Sequence, residues 1–419
     1  MKKRYHPLKW VIWTLAVVFY FYEYLIRVFP SVISDELMFA FNVNAVGLGT
    51  LSAFYLYAYA PMQIPVGFLM DRFGARKLLT GASIVCGVAT LLFSFTENIY
   101  LADFYRILMG AGSAFGFIGM VYISSHWFSS KKLAFLVGLG NSIGTLGAVG
   151  GLAIEGFIVQ YVYWKTTLVV LGALGIVLGF VIYLIIRKEP KTKIEKTNKT
   201  TTMRESVKIV LSNPQTWINA FVTFAFYVTV SAFAGLWATP FFSDVYGYTV
   251  PQAATAASMI YIGFIVGGPI FGHISDKAES RKKFLLTVPI LALFCLLPII
   301  YNTYLPYSVV IVLTFLIGFF TSSHLLNFAL AIELNPEKCK GFSLAFANFI
   351  NFLGAALVQT FVGYLIDFKS VAQNGLTSIV HSPQAYQFAL SMLPIIFVIG
   401  WFVTLFIKEE KHASHVYYD

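Results

Sequence analysis

Two arginines lie inside long apolar segments of this sequence. The chain has 29 Lys and Arg residues, and only Arg27 and Arg106 stand in the middle of such segments. A charge in a bilayer core costs about 2.5–3.5 kcal/mol on insertion scales, so it marks a functional-site hypothesis. Glu23 comes four residues before Arg27 and shares its helix face. Arg27 therefore either binds an anionic group through two parallel hydrogen bonds or ties span 1 to Glu23 or to a helix end.

Glu23, Arg106 and Glu155 are the candidate proton-handling groups. Burial favours the neutral form of Glu23 and a nearby Arg27 favours the charged form, so an anion that takes Arg27 would switch the proton of Glu23. Arg106 either shares in proton coupling, with Asp103 or Glu23, or snorkels to the membrane interface with Asp103 as its partner. Glu155 lies near a helix end, where a solvated cavity rim and a coupling site are equal alternatives.

Polar side chains at mid-segment positions are the candidate lining of a binding site. They are Tyr57, Tyr227, His324, Asn327, Asn348 and Asn351. Buried hydroxyl groups need partners, which favours Tyr57 and Tyr227 among the many tyrosines. His324 could titrate, or it could be a hydrogen-bonded packing residue. The amides of Asn348, Asn351 and Gln359 could equally form helix-to-helix hydrogen bonds.

The composition is that of a polytopic membrane protein. Of the 419 residues, 58% are hydrophobic and 11% are charged, and the mean hydropathy is +0.75. Soluble domains carry about 25% charged residues. The net charge of +10 is concentrated at one set of segment ends, which argues against a nucleic-acid partner. The three cysteines have no metal or disulfide spacing, and no cofactor, enzyme or ATPase motif is present, so we expect no metal, no cofactor and no enzymatic activity.

Twelve apolar segments are long enough to span a bilayer. They lie at 10–32, 44–69, 78–96, 100–124, 133–155, 164–186, 214–242, 251–275, 284–302, 306–333, 341–366 and 385–407. With a cytoplasmic N-terminus, 25 Lys and Arg fall on the cytoplasmic side and two, Lys165 and Lys369, on the other. This asymmetry predicts an all-α protein with twelve spans and both termini in the cytoplasm.

The chain is predicted to have two pseudo-symmetric halves. Residues 1–187 form the first six-helix bundle, 188–213 a basic cytoplasmic linker, 214–407 the second bundle and 408–419 a cytoplasmic tail. GFLMDRFGARK (67–77) follows the second span, and GHISDKAESRKK (272–283) follows the eighth. Asp71 and Asp276 occupy the same place in the two halves, which is the build of many secondary transporters.

These motifs resemble those of the major facilitator superfamily over the whole chain. GFLMDRFGARK is similar to the family's loop between helices 2 and 3, RILMGAGSAFG (106–116) to its fourth-helix motif, and NPEKCKG (335–341) to its link between helices 10 and 11. The resemblance implies that the loop is a conformational latch, formed by Gly67, Asp71, Arg72, Gly74, Arg76, Lys77, Asp276 and Arg281. Glu333 is expected to join a second charge latch with the 338–340 lysines or the 281–283 cluster.

A narrower resemblance is to the phagosomal, Pht/Fpt-type transporters of intracellular bacteria. It rests on FYEYLIRVFPSVISDELM (20–38), YAPMQIPVGFLMDRFGARKLLT (59–80) and FAGLWATPFF (233–242). That branch imports amino acids or nucleosides, which implies a bacterial inner-membrane location. The first helix also resembles that of organophosphate antiporters, but the seventh helix lacks their second Arg. Drug–proton antiporters have a Gly-Pro element in the fifth helix, and here GLGNSIGTLGAVGG (138–151) has no proline.

Together these features predict a secondary transporter that works by alternating access. One central Arg with a nearby acid suits a zwitterion, so we expect proton-coupled import of a small carboxylate-bearing nutrient such as an amino acid, by a monomer in the lipid bilayer. The alternatives are an exporter of a siderophore or drug-like compound, an organic-anion or organophosphate antiporter, and a transporter-like receptor.

Overall fold

The computed structural model describes residues 6–186, 203–278, 280–374 and 382–409. In this part of the chain every regular element is a helix. The predicted linker lies outside the described residues up to residue 202, and so does the tail from residue 410. In the first half, spans 1, 2 and 3 are His6–Val32, Ala45–Phe73 and Ala75–Phe95. Span 4 consists of Ile99–Ser113 and Phe115–Trp127, and span 5 of Ser130–Val149, Gly150–Ile154 and Glu155–Ile158. Span 6 is Trp164–Ile185. A short helix, Ser34–Phe41, connects spans 1 and 2.

The second half repeats this order. A linker helix, Met203–Ser212, precedes it. Span 7 consists of Pro214–Val228, Thr229–Trp237 and Ala238–Tyr246, span 8 is Val250–Lys277 and span 9 is Arg281–Tyr301. Span 10 consists of Tyr307–Thr321, Ser322–Leu325 and Leu326–Glu333. Span 11 is Lys340–Asn374, after the short turn Glu337–Cys339, and span 12 consists of Pro383–Leu390 and Met392–Thr404. Gly150–Ile154 and Thr229–Trp237 are π-helical, and Ser322–Leu325 is a 3₁₀ turn.

The helices have the length and composition of membrane spans. Eleven of the described helices are each long and apolar enough to cross a membrane. The pair Ser34–Phe41 and Ala45–Phe73, bent by 106°, gives a twelfth if it is counted as one span. Large apolar side chains such as Phe180 and Leu184 on span 6 are mostly exposed on the outside of the bundle. A lipid environment solvates such side chains, and helices satisfy their backbone groups internally. The all-α, twelve-span prediction is confirmed.

The two ends of the molecule differ in charge. At one end spans 2 and 3 meet at Gly74 and spans 8 and 9 meet near Ser280; we call it the basic end, because Arg72, Arg76 and Lys282 lie there. At the other, opposite end, span 1 passes through the short helix Ser34–Phe41 into span 2.

The two halves share a close helix contact at equivalent places. In the first half, span 4 approaches span 2 so closely that a Cβ on Gly110 would overlap the carbonyl oxygen of Tyr55. In the second half, span 10 approaches span 8, and a Cβ on Gly318 would overlap the carbonyl oxygen of Ile260. Small residues allow such backbone approach in membrane helices. The internal repeat seen in the loops therefore extends into the packing of the spans.

We expect Gly110→Ala and Gly318→Ala each to lower the free energy of unfolding by about 1–3 kcal/mol, because backbone must move to admit the methyl group. Thermal unfolding in detergent measures this. Gly67→Ala and Gly272→Ala are the matched controls, since a Cβ at either position meets no atom within 4 Å. Alanine is the better helix former, so the controls should gain up to about 1 kcal/mol. Equal effects at all four glycines would contradict the packing argument.

Candidate functional site

Arg27 and Glu23 form a buried ion pair on span 1. Arg27 Nη2 donates to Glu23 Oε1 at 2.9 Å, as their four-residue spacing predicts. Glu23 is fully buried, and Arg27 is 8% exposed. Among the described residues, Glu23 Oε2 and Arg27 Nε have no hydrogen-bond partner. The pair is therefore electrically balanced but retains an unused acceptor and an unused donor.

Four aromatic rings surround the guanidinium of Arg27. Its Cζ lies 4.4 Å from the ring centre of Tyr24, 4.6 Å from Tyr59, 5.2 Å from Phe352 and 5.5 Å from Tyr55. Cation–π contacts of this kind are strongest where water is excluded. Because Phe352 comes from span 11, the cage joins the two halves. The rings hold the planar cation in a defined orientation.

The predicted lining residue Tyr57 is not part of this cage. It is partly exposed, and its ring lies 6.1 Å from that of Phe54. Tyr55 and Tyr59 are one helical turn apart and both face Arg27, whereas a residue two positions along a helix points away. Tyr57 lies at the depth in the span that the sequence predicts, but on a different helix face from Tyr55 and Tyr59. The four-residue spacing of Tyr55 and Tyr59 was the signal that could have found the cage.

Gly116 makes room for the carboxyl group of Glu23. A Cβ at this glycine would lie 2.9 Å from Glu23 Oε2. Tyr55 Oη donates to the backbone carbonyl of Glu23 at 3.3 Å. The glycine at the end of the 106–116 motif thus belongs to the charged centre, although it lies on a different span.

Arg106 binds the backbone of span 1. Its Nη1 donates to the carbonyl of Ile26 at 2.7 Å, and its Nη2 donates to that of Arg27 at 3.3 Å. Pro30 lies inside span 1 and has no N–H, so the carbonyl of Ile26, four residues earlier, lacks its helical donor. Arg106 supplies that donor and is fully buried. Of the two predicted alternatives, snorkelling to the interface is wrong, and proton coupling stays a prediction.

A small cavity between the halves lies next to Arg27. Residues from both halves line it, including Arg27, Tyr55 and Arg106 from the first half and Tyr227, Tyr261, Phe352 and Gln359 from the second. The space has room for about one water molecule. The halves must therefore move apart before an organic molecule can bind here.

The wall formed by span 7 is π-helical. In the π-helical segment Thr229–Trp237, side chains of neighbouring spans satisfy backbone carbonyls. Tyr261 Oη donates to the carbonyl of Val230 at 3.2 Å, and Gln359 Nε2 donates to that of Ser231 at 3.0 Å. π-Helical segments are rare and often lie at functional sites. The sequence indicated Gln359 as a mid-span amide, with substrate contact and helix-to-helix hydrogen bonds as equal alternatives. No local pattern marked the π-helical segment or the contact of Tyr261 with it.

The halves are tightly joined at the opposite end. Ser31 Oγ donates to the carbonyl of Leu236 at 2.7 Å, which connects span 1 to span 7. The carboxylate of Asp367 on span 11 accepts from the backbone N–H groups of Ala45 and Val46 at 3.2 and 2.8 Å. These contacts cap the start of span 2 and close this end.

Toward the basic end, an amide pair joins the halves. Asn348 Nδ2 donates to Gln63 Oε1 at 2.9 Å, so this predicted lining residue joins spans 11 and 2 below the cavity. Closer to the end, Gly67 and Gly272 face open space. The halves are thus joined at the opposite end and, on the other side of the cavity, by the Gln63–Asn348 pair.

His324 and Asn327 lie behind Tyr227, in the second half. The His324 ring is 4.6 Å from that of Tyr227, and the side chain is buried. Within the described residues, both ring nitrogens of His324 and both amide atoms of Asn327 lack partners. Asn219 Nδ2 donates to the backbone carbonyl of Asn327 at 2.9 Å. These side chains form a buried polar seam between spans 7 and 10 rather than the wall beside Arg27.

Two further candidates are buried elsewhere. Asn351 adjoins Phe352 on span 11, and its Oδ1 has no partner in the described structure. Glu155 lies toward the opposite end, directly after the π-helical turn of span 5, and its Oε1 also lacks a partner there. Its neighbour Gly156 packs against Ala254 of span 8. Glu155 is thus buried near the contact of the two halves rather than at a solvated rim.

At the basic end, the predicted latch residues bond within each half. Arg76 Nε donates to the carbonyl of Tyr183 at 2.9 Å, and Gly74 has a φ of 78°, which glycine adopts readily. Arg281 pairs with Asp276 at 2.8 Å and with Glu333 at 2.9 Å. Of the two partners predicted for Glu333, the structure shows the 281–283 cluster, and its role in a latch stays a prediction. Of the remaining members, Asp71, Arg72 and Lys77 are exposed.

The fold and site define a class: a polytopic membrane protein whose two helical bundles enclose a charged central cavity. The sequence signature of the Major Facilitator Superfamily matches residues 12–359. The chain belongs to this family and is a membrane transporter.

Relatives of the chain are transporters with different substrates. It is 22% identical over 383 residues to the uncharacterized transporter YybO of Bacillus subtilis, covering 86% of this chain and 88% of that protein. It is 24% identical to the probable galactarate/D-glucarate transporter GudP of Bacillus subtilis, and the match covers 82% of this chain and 83% of that protein. It is also 22% identical to the lysosomal dipeptide transporter MFSD1 of Danio rerio, and the match covers 81% of this chain and 77% of that protein.

Among solved structures, a bacterial homologue of the human lysosomal transporter Spinster, in an inward-facing and unoccupied conformation, is similar. The TM-score is 0.77 at 15% identity, and the alignment covers 95% of this chain and 96% of that one. At this identity the likeness shows the fold alone. The narrower resemblance to the phagosomal branch remains a prediction.

Proposed function

We propose that this transporter imports a small carboxylate-bearing nutrient, most simply an amino acid, together with a proton. The observation that carries the proposal is the buried Arg27–Glu23 pair beside the cavity. Its net charge is zero, and a substrate carboxylate can pair with Arg27 in place of Glu23, whose own charge a proton then removes. A dipeptide, the substrate named for the relative MFSD1, carries one carboxylate and one ammonium group, as an amino acid does.

Coupling follows from competition for one cation. When a substrate carboxylate takes Arg27, Glu23 loses its ion-pair partner in a site without water. A buried carboxylate without a partner is so costly that it binds a proton instead. Substrate and proton then cross together, and release of both restores the pair.

Alternating access supplies the path. The positive-inside rule places the basic end in the cytoplasm, with both termini there. The structure then corresponds to the state closed to the outside, with Ser31 bonded to Leu236. We propose that the latch residues of the 67–77 and 272–283 loops exchange partners across the halves when the basic end closes. The protein works in a bacterial inner membrane as a monomer.

An organic-anion antiporter is the second candidate, because galactarate and D-glucarate, named for GudP, are dicarboxylates. A dianion needs a second cation. Arg106 also lines the cavity, but its two terminal nitrogens donate to backbone carbonyls of span 1. The geometry thus favours the substrate with a single negative group.

The test is uptake into vesicles with an imposed pH gradient. We expect the wild-type protein to accumulate its substrate, and Glu23→Gln to equilibrate it without accumulation, because the variant has no proton to carry. Glu97→Gln is the control: this carboxylate is 85% exposed near Lys165 at the opposite end, and accumulation should persist. Accumulation by Glu23→Gln against a gradient would contradict the proton role. Strict exchange of dianions, or pumping only outward, would favour the antiporter or the exporter.

A further inference from the structure

We propose that Gln359 is a substrate-binding residue whose side-chain oxygen accepts a hydrogen bond from the substrate's ammonium group. This inference rests on the proposed function, because the carboxylate of the same substrate binds Arg27. It gives the substrate a direction: carboxylate toward the first half and ammonium toward the second.

The orientation of the Gln359 amide is fixed by span 7. Its Nε2 donates to the carbonyl of Ser231 at 3.0 Å, and only the nitrogen side of an amide can donate to a carbonyl. Oε1 is therefore the remaining polar atom. It is buried and has no partner among the described residues, although Gln359 lines the cavity next to Arg27. A buried acceptor without a donor is costly and indicates that a donor arrives with the substrate.

The backbone of Gln359 is held from two sides. Its carbonyl accepts from Trp237 Nε1 at 3.0 Å. From the first half, Gly49 packs against the same carbonyl so closely that a Cβ there would lie 2.6 Å from it. A binding atom on a residue held in this way is preorganised, so little freedom is lost on binding.

The charge of the surrounding wall fits an ammonium group. Spans 7, 8, 10 and 11 carry no Lys or Arg in their central parts; those on spans 8 and 11 are Lys277, Lys340 and Lys369, near the helix ends. Instead the wall presents the aromatic rings of Tyr227, Tyr261 and Phe352. Aromatic faces and an amide oxygen attract a cation. A second carboxylate would meet an acceptor and no cation, which disfavours dianions.

The test compares matched ligands on one protein. Binding is measured for the protein amino acids and for their des-amino carboxylic acids, for example leucine against 4-methylpentanoate and phenylalanine against 3-phenylpropanoate. A hydrogen bond to a charged group contributes about tenfold or more in affinity, so the wild type should prefer one amino acid over its des-amino partner by at least that factor. In Gln359→Met this preference should fall about tenfold, while affinity for the des-amino acid changes by less than about threefold.

The ligand pair separates recognition from structure. Loss of the bond to Ser231 acts on both ligands alike, so it leaves their ratio unchanged. Gln359→Glu keeps an acceptor oxygen and should retain the preference, which gives a second readout if Gln359→Met does not fold. An unchanged ratio in Gln359→Met, or loss of preference in Gln359→Glu, would overturn the inference. If substitution of Arg27 still weakens carboxylate binding in that case, only the inference about Gln359 is wrong and the proposed function stands. If the wild-type protein binds no carboxylate at all, the proposed function itself is wrong.

Discussion

Arg27→Ala is expected to weaken substrate binding by about 100-fold or more. Two charge-assisted hydrogen bonds are lost, each worth about 1.5–3 kcal/mol, and each 1.4 kcal/mol corresponds to a factor of ten. Arg106 cannot replace these hydrogen bonds to the substrate, because both of its terminal nitrogens already donate to backbone carbonyls of span 1. The measurement is the rise in melting temperature with amino acids, dipeptides, nucleosides, sugar phosphates and organic acids, since a ligand that binds the folded state stabilises it by mass action.

Three variants make this result specific. Arg27→Lys keeps the charge but loses the planar fork, so an intermediate loss is expected. Arg204→Ala removes an exposed cation on the linker helix and should bind normally. Arg27→Met with Glu23→Gln removes the pair without leaving an unpaired charge, and it should fold but not bind. Binding that is indifferent to Arg27, or limited to large hydrophobic compounds, would give Arg27 a structural role and favour the exporter.

Arg106→Met is expected to lower the free energy of unfolding by about 1–3 kcal/mol, and Pro30→Ala in the same chain to restore part of it. The reason is the carbonyl of Ile26, which Pro30 deprives of its helical donor and which Arg106 satisfies at 2.7 Å. Leaving a buried carbonyl without a donor costs about that much. Alanine at position 30 returns an N–H four residues after Ile26 and lets the helix supply the bond.

A double-mutant cycle measures the coupling directly. Thermal unfolding of the wild type, Arg106→Met, Pro30→Ala and the double variant should show a favourable interaction of about 1 kcal/mol or more between the two changes. Arg204→Met, at an exposed arginine on the linker helix, should shift stability by less than about 0.5 kcal/mol. Strictly additive effects would mean that Arg106 acts elsewhere, and proton coupling would then be its remaining predicted role.

The arrangement of the spans could be predicted because it depends on one-dimensional patterns. Apolar length and the sidedness of Lys and Arg define the helices, and the two loops with Asp71 and Asp276 reveal the repeat. The Glu23–Arg27 pair was predictable for the same reason, since an α-helix places residues four apart on one face. For Glu333, charge at neighbouring span ends left two groups of partners open, and the structure pairs it with Arg281.

Contacts between spans could not be predicted in this way. Nothing near Arg106 in sequence shows that it binds the carbonyl of Ile26, 80 positions away. Tyr57 was favoured for its depth in the span, but the packing of span 2 against span 1 turns Tyr55 and Tyr59 toward Arg27. His324 was placed correctly near the middle of span 10, yet it lies behind Tyr227.

The sequence by itself therefore determined that this is a two-bundle membrane protein with a balanced charge pair on its first span. Only the tertiary structure decided what meets that pair: Phe352 in the cage, the π-helical wall of span 7 and the amide of Gln359. The physical reason is that hydrophobicity and helical period act along the chain, whereas the binding site depends on which helix faces the two bundles turn toward each other.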